Sequence, residues 1–404
     1  MGTVHPLDGR RRRSSRTGLV LGGGGFTGGV YEIGALRALD LLAVNHTVNE
    51  FDVYVGTSAG AFVAALAANG ITPEEMMRVV DRQVGAPLRD LALSTLLRPN
   101  VGAWLRRGAL LPLRAAGVAR ELIAAPGQIS ALDVVLGLAE GLPSGMYSGE
   151  GLEDYLRDVL TEPGRSDDFR HVRRPLYVTA TDLDTCERIV FGREGWADVP
   201  ISRAVRASTA LPVVYEAVPV RDRELVDGGL VSTTNLDVAV EAGADLVVVI
   251  NPLVPFVAPP AAEHERTHRI SGRGLAHIGY QAFKLMAHRR LHELARQWES
   301  RYPGVDIVLI EPELDDELMF HTSIMNFAAR THVARHGFTS VTQRLADDFE
   351  TYRAICERHG LEISPRRVRS IVEHAAVEDP EPIRAWRRIL EQTTGVLLGQ
   401  SAAD

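Results

Sequence analysis

The sequence of 404 residues is poor in lysine, in cysteine and in long apolar runs. Lys284 is its only lysine, and the net charge of -8 argues against nonspecific nucleic-acid binding. Cys186 and Cys356 fit no metal-ligand or C-x-x-C spacing, which favours two ordinary buried thiols in a reducing compartment. No stretch reaches the roughly 18 apolar residues that a membrane span needs.

The first residues of the chain are basic. Arg10 to Arg13 and Arg16 precede an apolar run that breaks after three residues at glycine, which is too short for the core of a signal peptide. We expect residues 1–16 to be a disordered basic tail on a cytoplasmic protein. Peripheral contact of this tail with anionic lipid at the inner membrane face is an open alternative.

Short apolar runs alternate with helical patterns along much of the chain. Strand patterns occur at 19–21, 51–56, 175–183, 187–192, 215–220, 245–252 and 305–312. Helical patterns occur at 28–43 and 59–69, and TPEE (72–75) begins another helix with Thr72 as N-cap. This alternation predicts an α/β sheet covered by helices on both faces.

Two parts of the chain have helical character without strand patterns. One is a helical insertion at about 81–147, broken by prolines, and the other is a helical C-terminal region at 313–404. Within the insertion, residues 85–125 combine six arginines with many leucines. This mixture suits a membrane-surface lid and equally suits a helical cover with solvated arginines, and the sequence leaves both open.

The motif GTSAG (56–60) lies between a predicted strand and a predicted helix. It fits the G-x-S-x-G nucleophile elbow, in which a sharp turn requires small residues such as Gly56 and Gly60 around the serine. We therefore predict that Ser58 is a nucleophile. A tight structural turn is the alternative.

A glycine-rich loop, GGGGFTGG (22–29), follows the first predicted strand. Bare backbone amides of such a loop can converge on an oxyanion next to Ser58 if the first two strands are parallel neighbours. Gly23, Gly25 and Gly28 also satisfy the dinucleotide pattern G-x-G-x-x-G, but the second strand runs directly into GTSAG instead of ending in an acid. A P-loop is excluded because no Gly-Lys-Ser/Thr follows.

A third motif, ELVDGGL (224–230), presents Asp227 after an apolar approach and before Gly228 and Gly229. An Asp-Gly-Gly sequence alone is typical of a plain turn. Together with the other two motifs, it makes Asp227 a candidate base for the Ser58 hydroxyl.

These three motifs, in this order, resemble those of the patatin-like phospholipases. The resemblance extends to VYEIGAL, PLYVTATDLDTCERIVFG, AVRASTALPVVYEAV and NLDVAVEAGADLVVVINP, and it covers roughly residues 18–255. It implies a three-layer α/β/α fold with a mostly parallel sheet, a catalytic domain at 17–312, and hydrolysis of fatty acyl esters. It also implies a Ser58–Asp227 dyad without histidine and an oxyanion hole at Gly23, Gly24, Gly25 and Gly28.

The sequence departs from the family at Thr27, where many members have arginine or lysine. A cation at this position could assist the oxyanion or a lipid phosphate, and threonine supplies none.

Alternatives to a dyad hydrolase remain. Acyl transfer could use the same acyl-enzyme, and a catalytically silent lipid-binding or regulatory module would need no intact dyad. A Ser-Asp-His triad is a further possibility, because several histidines follow Asp227. The candidates are His264, His268, His277, His288, His292 and His321.

The expected partner is a lipid or acyl-ester substrate. No metal or organic cofactor is implied, because no ligand cluster is apparent in the sequence. The sequence carries no signal for an oligomeric state.

Overall fold

The computed structural model describes residues 15–82, 88, 91–108, 120, 144–257, 270–322 and 325–369. Residues 1–14 of the predicted basic tail, most of the predicted insertion and residues 370–404 lie outside the described residues. The predictions of a disordered tail and of a membrane lid therefore fall largely on residues outside this description.

The described residues contain one large sheet and one small sheet. The strands are β1 (Thr17–Leu21), β2 (Val53–Thr57), β3 (Gly145–Tyr147), β4 (Leu176–Asp182), β5 (Arg188–Phe191), β6 (Val213–Tyr215), β7 (Val218–Val220), β8 (Arg223–Asp227), β9 (Leu246–Ile250) and β10 (Asp306–Ile310). The large sheet has the order β10-β9-β1-β2-β4-β8-β7, with β5 also paired to β4, and β3 pairs with β6 separately.

The five strands from β10 to β4 are parallel, whereas β5, β7 and β8 run antiparallel to their neighbours. Strands β1 and β2 are adjacent and parallel, with Gly18 opposite Val53, which meets the condition set for an oxyanion hole next to Ser58. This mixed, mostly parallel sheet confirms the predicted α/β fold.

Helices flank the sheet. The α-helices are α1 (Gly25–Leu42), α2 (Ala59–Ala68), α3 (Pro73–Val80), α4 (Leu93–Leu96), α5 (Val101–Gly108), α6 (Glu150–Leu160), α7 (Ile201–Ser208), α8 (Asp237–Glu241), α9 (Leu275–Arg296), α10 (Trp298–Arg301), α11 (Glu317–His321), α12 (Arg330–Asp347) and α13 (Phe349–Arg358). Thr72 and Glu75 form the predicted capping box at the start of α3. None of these helices combines the length and the apolar content needed to cross a membrane.

Strand β1 shows why helices cover both faces of the sheet. Successive side chains of a strand point to opposite faces. Leu19 and Leu21 join one buried apolar cluster, which includes residues of α1, α2 and α12, whereas Val20 joins a second cluster with α8 and α9. A strand that is apolar throughout is therefore stabilised by burial on both sides.

The run predicted as one strand at 215–220 is instead divided between β6 and β7. Glu216 lies between them, and its carboxylate accepts hydrogen bonds from Arg206 Nη2 at 3.0 Å and from Asn100 Nδ2 at 2.5 Å. The buried guanidinium of Arg206 holds this acid at the break between the two strands.

The expectation of two buried thiols is wrong for Cys186. This residue is exposed in the turn between β4 and β5, with φ of 60°. Cys356 on α13 is partly buried, and burial raises the pKa of its thiol to about 11. Both cysteines are free.

Candidate active site

Ser58 lies at the turn between β2 and α2. Its φ of 55° and ψ of -126° are strained for a residue with a side chain. A Cβ at Gly56 would lie 2.4 Å from Ala61 Cα, and a Cβ at Gly60 would lie 2.4 Å from the Leu21 carbonyl oxygen. The close approach of α2 to the sheet therefore explains both glycines of the motif, and the turn has the form of a nucleophile elbow.

Asp227 ends β8, and strand pairing along β4 brings it to Ser58. Thr179 of β4 lies opposite Thr57, and the next residue, Ala180, lies opposite Asp227. Because β5 occupies the other edge of β4 at both positions, β2 and β8 share one edge and meet end to end. The carboxyl ends of two strands that run in opposite directions therefore face each other at this point.

The two side chains form a direct hydrogen bond. Ser58 Oγ donates to Asp227 Oδ2 at 2.6 Å, and the Gly229 amide donates to Asp227 Oδ1 at 2.7 Å. Ser58 is 8% exposed and Asp227 is 4% exposed. The Asp-Gly-Gly motif thus supplies both the acid and an amide that orients it. A Cβ at Gly228 would lie 2.4 Å from the Thr179 carbonyl oxygen, so the motif has no room for a side chain there.

Burial raises the pKa of the Asp227 carboxyl from 3.8 to about 6. The hydrogen bonds from Ser58 and from the Gly229 amide stabilise the carboxylate and offset part of this rise. The carboxyl group is therefore mostly ionised at neutral pH, and it can accept a proton from Ser58 more readily than an ordinary aspartate.

The glycine loop lies against Ser58. A Cβ on Gly23 would be 3.4 Å from Ser58 Cβ. The Gly23 amide donates to the Thr233 carbonyl at 2.9 Å, and the Gly28 amide donates to the Gly24 carbonyl at 3.0 Å in the first turn of α1. Among the described residues, no acceptor contacts the amides of Gly24 and Gly25, which precede and begin α1. Of the four predicted glycines, these two therefore retain amides available for an oxyanion.

A layer of small polar side chains supports the turn at Ser58, and sequence reasoning missed it. Ser208 Oγ accepts a hydrogen bond from the Ser58 amide at 2.8 Å. Beneath the turn, Asn235 Nδ2 donates to the hydroxyls of Thr57 and Thr179, each at 3.0 Å. No local sequence signal marked these residues, which lie on a helix end, within two strands and in a loop.

The histidines of the alternative triad do not join Ser58 and Asp227 in the described structure. His277 is exposed on α9, and His288 and His292 face Glu311. His264, His268 and the side chain of His321 lie outside the described residues. The direct bond from Ser58 to Asp227 occupies the position in which a triad would place a histidine.

A cavity of about 150 Å³ opens from the dyad into the apolar layer between the helices. Gly24, Ser58 and Asp227 line it at one end. Its walls are mainly large apolar side chains, among them Ile33, Phe62, Leu66, Met76, Leu96 and Phe327. Helix α2 begins directly after Ser58 and rises about 1.5 Å per residue, so Leu66 lies about 12 Å from Ser58 along the cavity wall. The apolar lining of the cavity suits a hydrocarbon chain.

Glu32 is a buried acid that the sequence analysis did not single out. It is 0% exposed on α1, and neither carboxyl oxygen has a hydrogen-bond partner among the described residues. Burial raises the pKa of Glu32 well above its usual value, and the nearby Gly22 amide offsets a small part of that rise without reaching hydrogen-bonding geometry. Burial therefore favours the protonated form of Glu32 beside the glycine loop.

Comparison with known proteins finds curated relatives and several solved structures. The uncharacterized protein YqhO of Bacillus subtilis (strain 168) is 24% identical over 221 residues, which are 51% of this chain and 64% of YqhO. The chain thus spans slightly less than two thirds of that relative. VipD from Legionella pneumophila has a TM-score of 0.35 and 15% identity, with 83% of this chain and 67% of VipD covered.

The type III effector protein ExoU of Pseudomonas aeruginosa also has a TM-score of 0.35, with 18% identity and coverage of 83% of this chain and 53% of ExoU. The model of the family described as patatin-like phospholipase matches residues 19–240, which include Ser58 and Asp227. Since this match covers more than half of the sequence, the chain belongs to the patatin-like phospholipase family.

Proposed function

We propose that this chain is a serine lipid acyl hydrolase that cleaves fatty acyl esters with Ser58 as nucleophile and Asp227 as base. The observation that carries the proposal is the 2.6 Å hydrogen bond from Ser58 Oγ to Asp227 Oδ2 at the end of an apolar cavity. Family membership supports the same class of chemistry.

In the first step, Ser58 Oγ attacks the ester carbonyl carbon while its proton moves to Asp227 Oδ2. The strained elbow holds the hydroxyl at the cavity, and the Gly229 amide keeps the carboxylate in place. Collapse of the tetrahedral intermediate breaks the bond to the leaving alkoxide, which takes the proton back from Asp227. The acyl group remains bonded to Ser58 Oγ.

The negative charge of the tetrahedral intermediate needs donors that are already in place. The amides of Gly24 and Gly25 are available at the positive end of α1 and beside Ser58. One such donor contributes about 3 to 4 kcal/mol to transition-state stabilisation in other serine hydrolases. We assign the oxyanion hole to these two amides.

In the second step, Asp227 accepts a proton from water as that water attacks the acyl carbonyl. The bond to Ser58 Oγ breaks, Asp227 returns the proton to Ser58, and a fatty acid leaves. Acyl transfer would follow if another alcohol took the place of water in this step. The same two residues therefore account for hydrolysis and for the alternative reaction.

The substrate proposal rests on the apolar cavity and on the groups near it. The cavity walls suit an acyl chain, and the buried Thr27 adds no cation for a phosphate headgroup. On α5, Trp104 is 45% exposed and Leu105 is 70% exposed. Exposed apolar side chains on this helix suit peripheral contact with a lipid surface.

Labelling with a fluorophosphonate probe tests the proposed nucleophile. We expect the native chain to be labelled once and to hydrolyse p-nitrophenyl fatty acyl esters, and we expect Ser58→Ala to do neither. Ser300→Ala is a matched control, because Ser300 lies at the exposed end of α10. Unchanged labelling of Ser58→Ala would refute the assignment.

Product analysis separates hydrolysis from transfer. With a long-chain ester and an added monoacylglycerol acceptor, a hydrolase releases free fatty acid as the main product. A diacyl product that exceeds the free acid would instead identify the chain as a transacylase, with the dyad roles unchanged.

A further inference from the structure

A cluster of possible metal ligands lies outside the site of Ser58. His288 and His292 are one turn apart on α9, and Glu311 follows β10. The potential ligand atoms of these three residues all lie within 4.8 Å of one another. Such atoms on one metal ion are typically separated by about 3 to 4 Å, since each metal bond is about 2.0 to 2.2 Å long.

The distances between the histidine nitrogens and the Glu311 carboxylate are close to those of a metal site, and small side-chain movements would complete it. His292 Nε2 is 2.7 Å from Glu311 Oε2, and His288 Nδ1 is 3.7 Å from Glu311 Oε1. The latter distance is too long for a hydrogen bond. His288 Nδ1 is buried and has no hydrogen-bond partner among the described residues. A buried ring nitrogen directed at a carboxylate without bonding to it requires an explanation, and a bound cation supplies one.

Glu311 is fixed in place by the surrounding structure. It is 6% exposed, and Asn251 Nδ2 donates to Glu311 Oε1 at 2.7 Å. Hydrogen bonds of this kind orient the carboxylate ligands of metal sites. A surface recess lined by both histidines connects the cluster to solvent and provides an entry path.

We propose that His288, His292 and Glu311 bind a divalent transition-metal ion of the zinc type. Two imidazoles and one carboxylate are a common ligand set for such ions, with water in the remaining position. The sequence between the histidines is Arg-Arg-Leu, without the glutamate that serves as the base in His-Glu-x-x-His metalloproteases. The role assigned to this ion is therefore structural, and it is independent of the proposed hydrolase function.

The ion would join α9 to the end of the parallel sheet. Tyr280 and Phe283, nearer the start of α9, line the cavity of Ser58. Asn251 lies against the glycine loop, since a Cβ on Gly22 would be 3.2 Å from Asn251 Oδ1. Metal binding would thus hold in place a helix that forms one wall of the cavity.

Metal content of the full chain is the direct test. The protein is treated with EDTA, desalted, incubated with zinc chloride and desalted again, and zinc is measured by mass spectrometry. We expect one zinc ion per chain for the native protein and for His277→Ala, a matched control on an exposed position of the same helix. We expect at least about a 100-fold weaker affinity for His288→Ala and for His292→Ala, since even loss of a residue that orients a ligand typically costs about 10- to 100-fold.

Two further measurements keep the test independent of folding and of activity. Zinc should raise the Tm of the native protein and of His277→Ala but not that of His292→Ala, whose partly exposed side chain can be removed without opening the core. Cobalt(II) should give visible absorption bands that are lost with His292→Ala. Absence of bound zinc in the native protein, or full retention in both histidine variants, would overturn the proposal.

Discussion

Replacement of Asp227 by asparagine should abolish activity and at the same time stabilise the fold. The carboxyl group has a pKa of about 6 in the folded protein and 3.8 as its ordinary value. The folded state therefore binds the proton more tightly than the unfolded state. Stability from this group is fully present below pH 3.8 and is lost as the pH rises through about 6.

The size of the effect follows from the two pKa values. A difference of about two units corresponds to about 3 kcal/mol, which Asp227 costs the native protein at pH 8. At pH 5 the folded carboxyl is mostly protonated, and the cost is about 1.5 kcal/mol. Asparagine does not titrate, and its side chain can still accept from the Gly229 amide and donate to Ser58 Oγ. We therefore expect Asp227→Asn to exceed the native protein in unfolding free energy by these amounts.

Urea unfolding at pH 5 and pH 8, followed by circular dichroism, measures the difference. Ser58→Ala is the control, because it should be equally inactive while it keeps a titrating carboxyl at Asp227, whose pKa should rise further without the hydrogen bond from Ser58. Groups that titrate alike in both proteins cancel in the comparison. A stability difference between Asp227→Asn and the native protein that is the same at pH 5 and pH 8 would refute the reasoning.

Four other outcomes are expected. The kcat/KM for a short-chain ester should rise about tenfold from pH 5 to a plateau above pH 6, as Asp227 loses its proton, and a flat profile from pH 5 to 7 would contradict this. Gly24→Ala should lower kcat about 100- to 1,000-fold, because its Cβ would lie 2.8 Å from Gly28 Cα, whereas Gly279→Ala, in open space, should retain native activity. Glu32→Gln should gain stability over the native protein as the pH rises above about 5, by up to about 1.4 kcal/mol per pH unit in urea unfolding, and a constant difference would show that Glu32 is not held neutral. Leu66→Phe should lower kcat/KM for palmitoyl esters at least about tenfold and spare acetyl esters, and an equal loss for both would place the acyl chain elsewhere.

The sequence was sufficient for the strands and turns that carry the glycine loop and Ser58, because its signals there are local. LVL before the glycine loop and FDVYVG before GTSAG are short apolar runs followed by tight turns, and each gave a strand within two residues of its observed bounds. The α/β pattern was compatible with parallel pairing of β1 with β2, which the structure contains.

Contacts between residues distant in sequence could not be predicted in the same way. Ser208 supports Ser58 across 150 residues, and Asn235 reaches Thr57 across 178 residues. Serine, threonine and asparagine are common in turns, so nothing in their local sequence distinguishes these residues from ordinary loop positions. Their role depends on which strand ends meet, which pairing along β4 decides.

The hydrogen bonds of the Gly23 and Gly28 amides are a second feature that could not be predicted from the sequence. Sequence reasoning treated Gly23, Gly24, Gly25 and Gly28 as equivalent because each can expose its backbone. The structure divides them, since Thr233 and the first turn of α1 each take one amide. Thr233 follows the Asp-Gly-Gly motif, so the segment that carries Asp227 also holds the glycine loop in position.

Burial explains how an aspartate could serve as the base that we propose for Ser58, where a triad would use a histidine. With its ordinary pKa, an aspartate is a weak base toward a serine hydroxyl, whereas a histidine has a pKa near 6.5. The apolar surroundings of Asp227 raise its pKa to about 6, which brings its basicity close to that of an imidazole while leaving it mostly ionised at pH 7. A more polar cavity would stabilise the fold and weaken the base. The same apolar walls that suit an acyl chain therefore also make a histidine unnecessary, and the stability lost at Asp227 is coupled to its basicity.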